Sequence, residues 1–424
     1  MNIKEIILGQ KRERDELLGG DYLPRDGIEA ARAAMQAGLI KVITGPRRAG
    51  KSVFALQMLQ GSDFAYINFD DERLVPNIDF DELLKALFQV YGETKTIFFD
   101  EIQNVSRWEL FVNRLHRRGM NIVLTGSNAH LLSRELSTHL TGRFLDFRIY
   151  PFSFSEFLRA KGFAVDKEAL GQREQQGVLL AHLDEYMRHG GYPEVVVRGL
   201  EAASYLSTLF ESILFKDIVK RYGVRYAAKL HDLGRYLMTN HGREYSFTAV
   251  KKALDFRSVH TVENYIGYLD EAFLLFCVRR FSYKAKEQTK APRKAYPYDL
   301  GLVNAVRFKT GSDAGRLLEG LVAIELLRRK EEFFSHKDVS GKEVDFVIRR
   351  DGRTSQLIQA CYDLIDAGTR RRELQALTKA AENLGCDSLV ILTWDTEGDE
   401  LLAGRSVQLR PVWKWLLGWE GVFV

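Results

Sequence analysis

Two glycines, a lysine and a hydroxyl stand at fixed spacing in Gly45-Pro46-Arg47-Arg48-Ala49-Gly50-Lys51-Ser52, which matches every fixed position of the phosphate-binding loop G-x-x-x-x-G-K-S/T. Glycine lets consecutive backbone N–H groups turn inward around a polyphosphate, and a helix N-terminus behind the loop adds partial positive charge. Residues Gly45 through Val53 are therefore the expected cradle for the phosphates of ATP, with Lys51 on the β- and γ-phosphates and the Ser52 hydroxyl on Mg2+. A second signal is Thr96-Ile97-Phe98-Phe99-Asp100-Glu101, four β-prone residues followed by two carboxylates. At the end of a buried strand beside such a loop, Asp100 would hold the Mg2+ shell and Glu101 would orient and deprotonate an attacking water. Ser127 or Asn128, closing Asn121-Ile122-Val123-Leu124-Thr125-Gly126, could hydrogen-bond that water or the γ-phosphate, or simply form a strand-end turn.

These side chains need a sheet to hold them. The apolar run Leu39 to Ile43 reads as a buried strand, and Val53, Phe54, Leu56, Met58 and Leu59 predict an apolar helix beginning at about Lys51. Amphipathic helix patterns cover residues 3–18 and 27–37. A strand at 65–69 runs into Asp70-Asp71-Glu72, a helix follows at about 79–91, and Thr141 to Tyr150 supplies a fifth strand. Five strands alternating with helices predict a three-layer α/β domain with a mainly parallel sheet.

The phosphate loop resembles one family when taken with Tyr66-Ile67-Asn68-Phe69-Asp70-Asp71, Phe99-Asp100-Glu101-Ile102-Gln103, Leu124-Thr125-Gly126-Ser127, Leu140-Thr141-Gly142-Arg143 and Tyr150-Pro151-Phe152-Ser153-Phe154-Ser155-Glu156-Phe157. It is similar to prokaryotic AAA-type ATPases of the AAA+ P-loop superfamily that carry a C-terminal domain of unknown function. The resemblance implies an additional-strand core with sheet order 5-1-4-3-2 and a homo-oligomer with nucleotide sites shared between subunits. It also makes Arg143 a candidate sensor or arginine finger, whose charge would stabilise phosphoryl transfer. The alternative is that Arg143 bridges an acid within its own subunit.

Beyond the first domain (1–160), residues 161–242 read as a helical domain broken at Gly190-Gly191-Tyr192-Pro193, a turn that family members share. Residues 243–305 read as a winged helix. A helix opens at Ser246-Phe247-Thr248, a second follows Ser258 with Val262, Ile266 and Leu269 on one face, and a hairpin carries the basic stretch 279–294. In a DNA-binding reading, His260, Thr261, Glu263 and Asn264 face the major groove. Arg279, Arg280, Lys284, Lys286, Lys290, Arg293 and Lys294 would meet phosphates. Against it, the exposed face of the second helix carries no Arg or Lys, and winged helices also bind proteins.

The last domain (306–424) changes pattern from Gly311 onward. Its helix from Leu317 to Leu327, strands at 343–348, 356–361 and 388–393 and helix at about 370–384 resemble a degenerate PD-D/E-x-K nuclease fold. That resemblance implies Glu319 or Glu325 as the helix acid and Asp345 as the strand acid. The third motif departs: Gln359-Ala360-Cys361 stands where Glu-x-Lys is expected, which removes a carboxylate and the lysine. A nuclease-like scaffold retained for binding is the better-supported expectation. The tryptophans of Pro411 to Trp419 read as packing on an apolar helix.

The 424 residues carry a net charge of +4, which permits nucleic acid as a partner without requiring it. Three scattered cysteines, Cys277, Cys361 and Cys386, suit a reducing compartment, and no run is long enough to span a bilayer. A cytoplasmic α/β protein is expected, with no membrane partner. Three functions follow: an ATP-driven machine on DNA, a nucleotide-regulated switch that binds a protein client, and an ATP-dependent nuclease.

Overall fold

The computed structural model describes residues 3–74, 78–128, 142–166, 168, 171–307 and 314–419. Leu140, Thr141 and Gly311, which the sequence singles out, lie outside them. The chain divides into two compact units, Met1–Pro151 with Glu271–Phe273, and Phe152–Asp270 with Leu274–Val424. No helix among the described residues is long and apolar enough to cross a membrane.

The first unit is built on five parallel strands: β1 (Ile40–Thr44), β2 (Ala65–Asn68), β3 (Thr96–Asp100), β4 (Asn121–Gly126) and β5 (Phe144–Arg148). They lie in the order β2-β3-β4-β1-β5, which is the 5-1-4-3-2 order the family resemblance implies. Successive strand residues point to opposite faces, so each strand feeds two cores. Val42, Ile67, Phe99 and Leu124 pack on one face with Ile6, Leu83, Trp108 and Leu115. Ile43, Tyr66, Phe98 and Val123 pack on the other with Ile28, Phe54 and Leu59. Strands covered on both faces read as apolar runs, which is why this sheet was visible in the sequence. The helices Ile3–Leu18, Phe80–Tyr91 and Trp108–Arg117 lie on the first face, and Ile28–Ala34 and Lys51–Leu59 on the second.

The second unit opens with the helix Phe154–Ala160. Ser153 accepts from the Glu156 N–H and Glu156 returns the bond, a capping box that gives the Ser153-Phe154-Ser155-Glu156 motif a structural role. The helices Arg173–His189, Pro193–Arg198 and Ala202–Ser212 follow, the last running on through a wide π turn at Ile213–Val219. The turn at Gly190 and Gly191 is pinned by Asp299, which accepts from Gly191 N at 2.7 Å and from Gly301 N at 2.9 Å.

Next come the helix Ala227–Thr239, strand β6 (Glu244–Tyr245), helices Phe247–Ala253 and Val259–Glu271, and strands β7 (Leu275–Arg279) and β8 (Arg293–Pro297). The three strands form an antiparallel sheet ordered β6-β8-β7. The basic stretch between β7 and β8 is not a plain hairpin loop, because the short helix Ala285–Lys290 interrupts it.

The C-terminal part holds a six-stranded mixed sheet of β9 (Glu332–Lys337), β10 (Glu343–Arg350), β11 (Arg353–Ala360), β12 (Leu389–Thr393), β13 (Gly398–Leu402) and β14 (Arg405–Pro411). Its order is β13-β14-β12-β11-β10-β9, antiparallel at both ends and parallel across β11, β12 and β14. The helices Ala314–Arg328 and Ala367–Leu384 pack against it. The apolar closing helix is shorter than the sequence predicts, Val412–Leu416, with Trp413 and Trp415 buried.

Candidate functional site

Parallel α/β sheets collect ligands at the carboxyl ends of their strands. There β1 runs into the loop Gly45–Gly50, beside the ends of β3 and β4. At Gly45 a Cβ atom would stand 1.9 Å from the Ile149 carbonyl oxygen, so only glycine lets the loop pass the chain that leaves β5. Gly50 takes a left-handed conformation at φ 91° and starts the helix Lys51–Leu59. The first-turn N–H groups of that helix have no acceptor within it and suit an anion.

Lys51 is buried, with 4% of its side chain exposed. Its Nζ lies 3.5 Å from Glu101 Oε1 and donates to the Pro46 carbonyl at 3.0 Å. The Ser52 hydroxyl donates to Asp100 Oδ1 at 2.9 Å, the Thr125 hydroxyl donates to the same oxygen, and Tyr66 OH reaches Asp100 Oδ2 at 3.2 Å. Glu101, just past β3, has the left-handed backbone angle φ 52°, and its N–H is held by Thr125 Oγ1 at 3.0 Å. Strain of that kind at a non-glycine residue clusters at functional sites. Gln103 links Glu101 to Ser127, donating to Glu101 Oε2 and lying 3.3 Å from Ser127 Oγ.

The two adjacent carboxylates are tuned apart. Burial, reinforced by the charge of Glu101, pushes the Asp100 carboxyl up to about 6 despite hydrogen bonds from Thr125 and Ser52. Burial acts on Glu101 in the same direction, but the Lys51 charge, the Gln103 hydrogen bond and Arg47 together bring it below its ordinary value. At neutral pH both are ionised, and Asp100 presents its oxygens beside a serine hydroxyl. That donor set fits a hard cation such as Mg2+.

Residues 38–158 match the family model of the AAA domain, and residues 180–313 match a domain of unknown function, DUF8612. The uncharacterized protein MJ1544 of Methanocaldococcus jannaschii is 37% identical over 399 residues, covering 89% of this chain and 88% of that protein. The chain belongs to the same family as MJ1544. An uncharacterized protein of Haemophilus influenzae is 33% identical over 329 residues, covering 73% of this chain and 80% of its own. Among solved structures, the Walker-type ATPase of Pyrococcus abyssi overlays with a TM-score of 0.42 at 15% identity, covering 68% of this chain and 96% of that one.

In this member of the MJ1544 family Lys51, Ser52, Asp100, Glu101 and Ser127 come together around the AAA-type phosphate loop. Arg143 does not. It is exposed and precedes β5 at the end of the sheet where the strands begin, its carbonyl accepting from Ile40 N at 2.9 Å. The parallel pairing of Ile40 with Phe144 and Thr44 with Arg148 leaves it five extended residues, about 16 Å, from the phosphate-loop end. A same-subunit contact between Arg143 and the phosphates is therefore ruled out. Arg148 stands at that end instead, paired with Asp146 at 3.1 Å.

Sequence reasoning missed Arg25. This buried guanidinium donates to the Ala49 carbonyl at 2.8 Å and the Tyr150 carbonyl at 2.6 Å, tying the phosphate loop to the chain after β5. It lies between two helices in a stretch with no periodic signal. Thr125, near the end of β4, and Tyr66, within β2, also reach Asp100, contacts between strands that no local pattern shows.

The C-terminal candidates separate. Glu319, on the helix Ala314–Arg328, and Asp345, on β10, converge on one amine, Lys294 of β8. Glu325 is elsewhere, paired with Arg329 at 2.7 Å and Arg328 at 3.4 Å, which leaves Glu319 as the helix acid of the cluster. Gln359 lies beside Asp345, accepting from its N–H at 3.1 Å and donating to Glu373 Oε2 at 2.8 Å. Lys294 was expected to contact phosphates from an exposed wing; it is instead 2% exposed and turned inward.

Proposed function

We propose that this protein binds and hydrolyses ATP in a Mg2+-dependent manner and couples turnover to DNA or to a protein partner. The observation that carries the reading is the set of Lys51, Ser52, Asp100 and Glu101 at one strand edge behind the glycine loop, with Ser52 Oγ 2.9 Å from Asp100 and Lys51 3.5 Å from Glu101. In this mechanism the loop amides and Lys51 would hold the phosphates, and Ser52 with Asp100 would hold the cation, which would neutralise charge on the phosphate oxygens. Glu101 accepts the proton of the attacking water, and Gln103 with Ser127 fixes the carboxylate. Arg143, exposed before β5, would complete the site of a neighbouring copy, which makes a homo-oligomer part of the proposal. Lys51→Ala should abolish nucleotide binding and Glu101→Gln should hold ATP without hydrolysing it; unchanged turnover in either variant contradicts the assignment.

The helix, strand, two helices and two strands from Ala227 to Pro297 support reading this module as a winged helix. Arg279, Lys284, Lys286 and Lys290 are exposed and suit phosphate contacts, whereas Arg280 pairs with Glu244 and Arg293 lies over the Phe247 ring at 4.9 Å. His260, Glu263 and Asn264 are exposed on the second helix without a cation among them. Duplex DNA that stimulates hydrolysis, with stimulation fading as salt rises, supports the DNA reading. Indifference to DNA points to the switch with a protein client. The mixed sheet and its flanking helices support a nuclease-like scaffold for the C-terminal domain.

A further inference from the structure

The C-terminal carboxylates have a buried partner that no nuclease motif supplies. Lys294 Nζ lies 2.5 Å from Glu343 Oε1, 2.7 Å from Glu319 Oε1 and 3.4 Å from Asp345 Oδ1. Three acids reach it from a helix and from β10, and the lysine comes from β8 of the three-stranded sheet, 25 and 51 residues away from Glu319 and Asp345 in sequence. The oxygens around it are also committed elsewhere. Glu319 Oε1 accepts from Tyr296 OH at 2.5 Å, Asp345 Oδ2 accepts from Ala360 N at 3.0 Å, and both ends of the Gln359 amide are bonded. A Mg2+ ion demands several oxygen ligands in near-octahedral array. Among the described residues no group of three His, Cys, Asp or Glu is arranged to hold a metal ion.

The contact continues outward. Glu343 Oε2 lies 3.7 Å from Lys337 on β9, Lys337 pairs with Glu244 of β6 at 3.1 Å, and Glu244 pairs with Arg280 just past β7. Backbone follows the same line: Phe281 N donates to Ser335 O at 2.7 Å, and the Phe281 ring packs with Val344, Val347 and Leu357 in the C-terminal core.

We propose that the Lys294 ammonium is the resident cation of the Glu319, Glu343 and Asp345 cluster, standing where a nuclease would hold a divalent metal, and that it locks the β7–β8 sheet to the C-terminal sheet. The nuclease-like cluster is thus a structural lock without a metal. This inference is independent of the ATP reading, because the phosphate loop contributes none of its residues.

The test counts Mn2+ bound per nucleotide-free full-length chain by electron paramagnetic resonance. The wild type, Lys294→Ala, and the double variant Glu319→Gln with Asp345→Asn are compared, so that any Mn2+ at Asp100 is common to all. The expected result is equal counts for the wild type and the double variant, and one additional Mn2+ for Lys294→Ala. A wild type exceeding the double variant by one ion overturns the proposal, as does a folded Lys294→Ala chain that gains none. Reductive methylation of the wild type, mapped by mass spectrometry, needs no variant. Lys294 should stay unmodified with or without excess Mg2+, and modification that rises with Mg2+ would mean that the metal displaces it.

Discussion

Lys51 and Lys294 are both buried lysines facing carboxylates, yet their surroundings carry opposite surpluses of charge. Lys51 meets one carboxylate at 3.5 Å and a backbone carbonyl, and stands at a helix N-terminus behind glycines. Lys294 meets three carboxylates between 2.5 and 3.4 Å. The first arrangement leaves positive charge for an incoming anion. In the second, three acids surround one ammonium; burial, with the charges of Glu319 and Glu343, raises the Asp345 carboxyl, and Lys294 opposes that shift. A lysine with a carboxylate is thus not a site in itself. The sign left over after local pairing decides whether a ligand or a protein side chain fills it.

The contrast breaks most sharply at Lys51. Lys51→Ala should abolish detectable ATP binding and turnover, a loss beyond the roughly 100-fold of one preorganised donor, and titration with a fluorescent ATP analogue checks it. Glu101→Gln should lower turnover by about 100- to 10,000-fold, the worth of general-base catalysis, while leaving bound ATP detectable in rapid-filtration assays. Lys294→Ala should leave ATP affinity of the folded chain unchanged but cost about 3–5 kcal/mol of stability, as expected for breaking a buried ion pair. Urea denaturation measures that loss, and a midpoint equal to the wild type's would mean that Lys294 locks nothing.

A pH series sharpens the comparison further. Asp100 ionises at about 6 in the folded chain against an ordinary value of 3.8, so the folded state binds more protons between the two. Ionising Asp100 therefore lowers stability as pH rises from about 4 to 6, and a cation bound there offsets the loss. Stabilisation by Mg2+, read as a thermal shift, should be full above pH 7 and weaken about tenfold in affinity per unit below about 6. The smallest effect is expected from Lys284→Ala, Lys286→Ala and Lys290→Ala combined. Basal hydrolysis stays unchanged, and under the DNA reading the salt slope of DNA stimulation falls by about one per lost phosphate contact.

The first site was legible because its signals are local. Gly45, Gly50, Lys51 and Ser52 lie within one loop, and Asp100 and Glu101 end an apolar run that is visible because both faces of its sheet are covered. The placement of Arg143 was not legible because the strand pattern from Thr141 to Tyr150 runs through it, whereas β5 begins at Phe144 and leaves Arg143 before the strand. Lys294 misled because inside a stretch of seven cations it reads as one more solvated charge. Period two did offer a signal, since Lys294 shares a strand face with Tyr296, and both contact Glu319. Its partners are remote in sequence, so nothing local could show that the charge was compensated. Strands β9 and β13 offer little pattern because few of their positions are buried, whereas β14 carries a period-two signal in Val407 and Leu409.

The most direct test of the central claim is Mg2+-dependent phosphate release from ATP by the full-length chain, measured beside Lys51→Ala and Lys294→Ala at a temperature where all three are folded. The account predicts release by the wild type and Lys294→Ala and none by Lys51→Ala. Release that survives Lys51→Ala, or that vanishes in folded Lys294→Ala, would contradict the division between a ligand site and a lock.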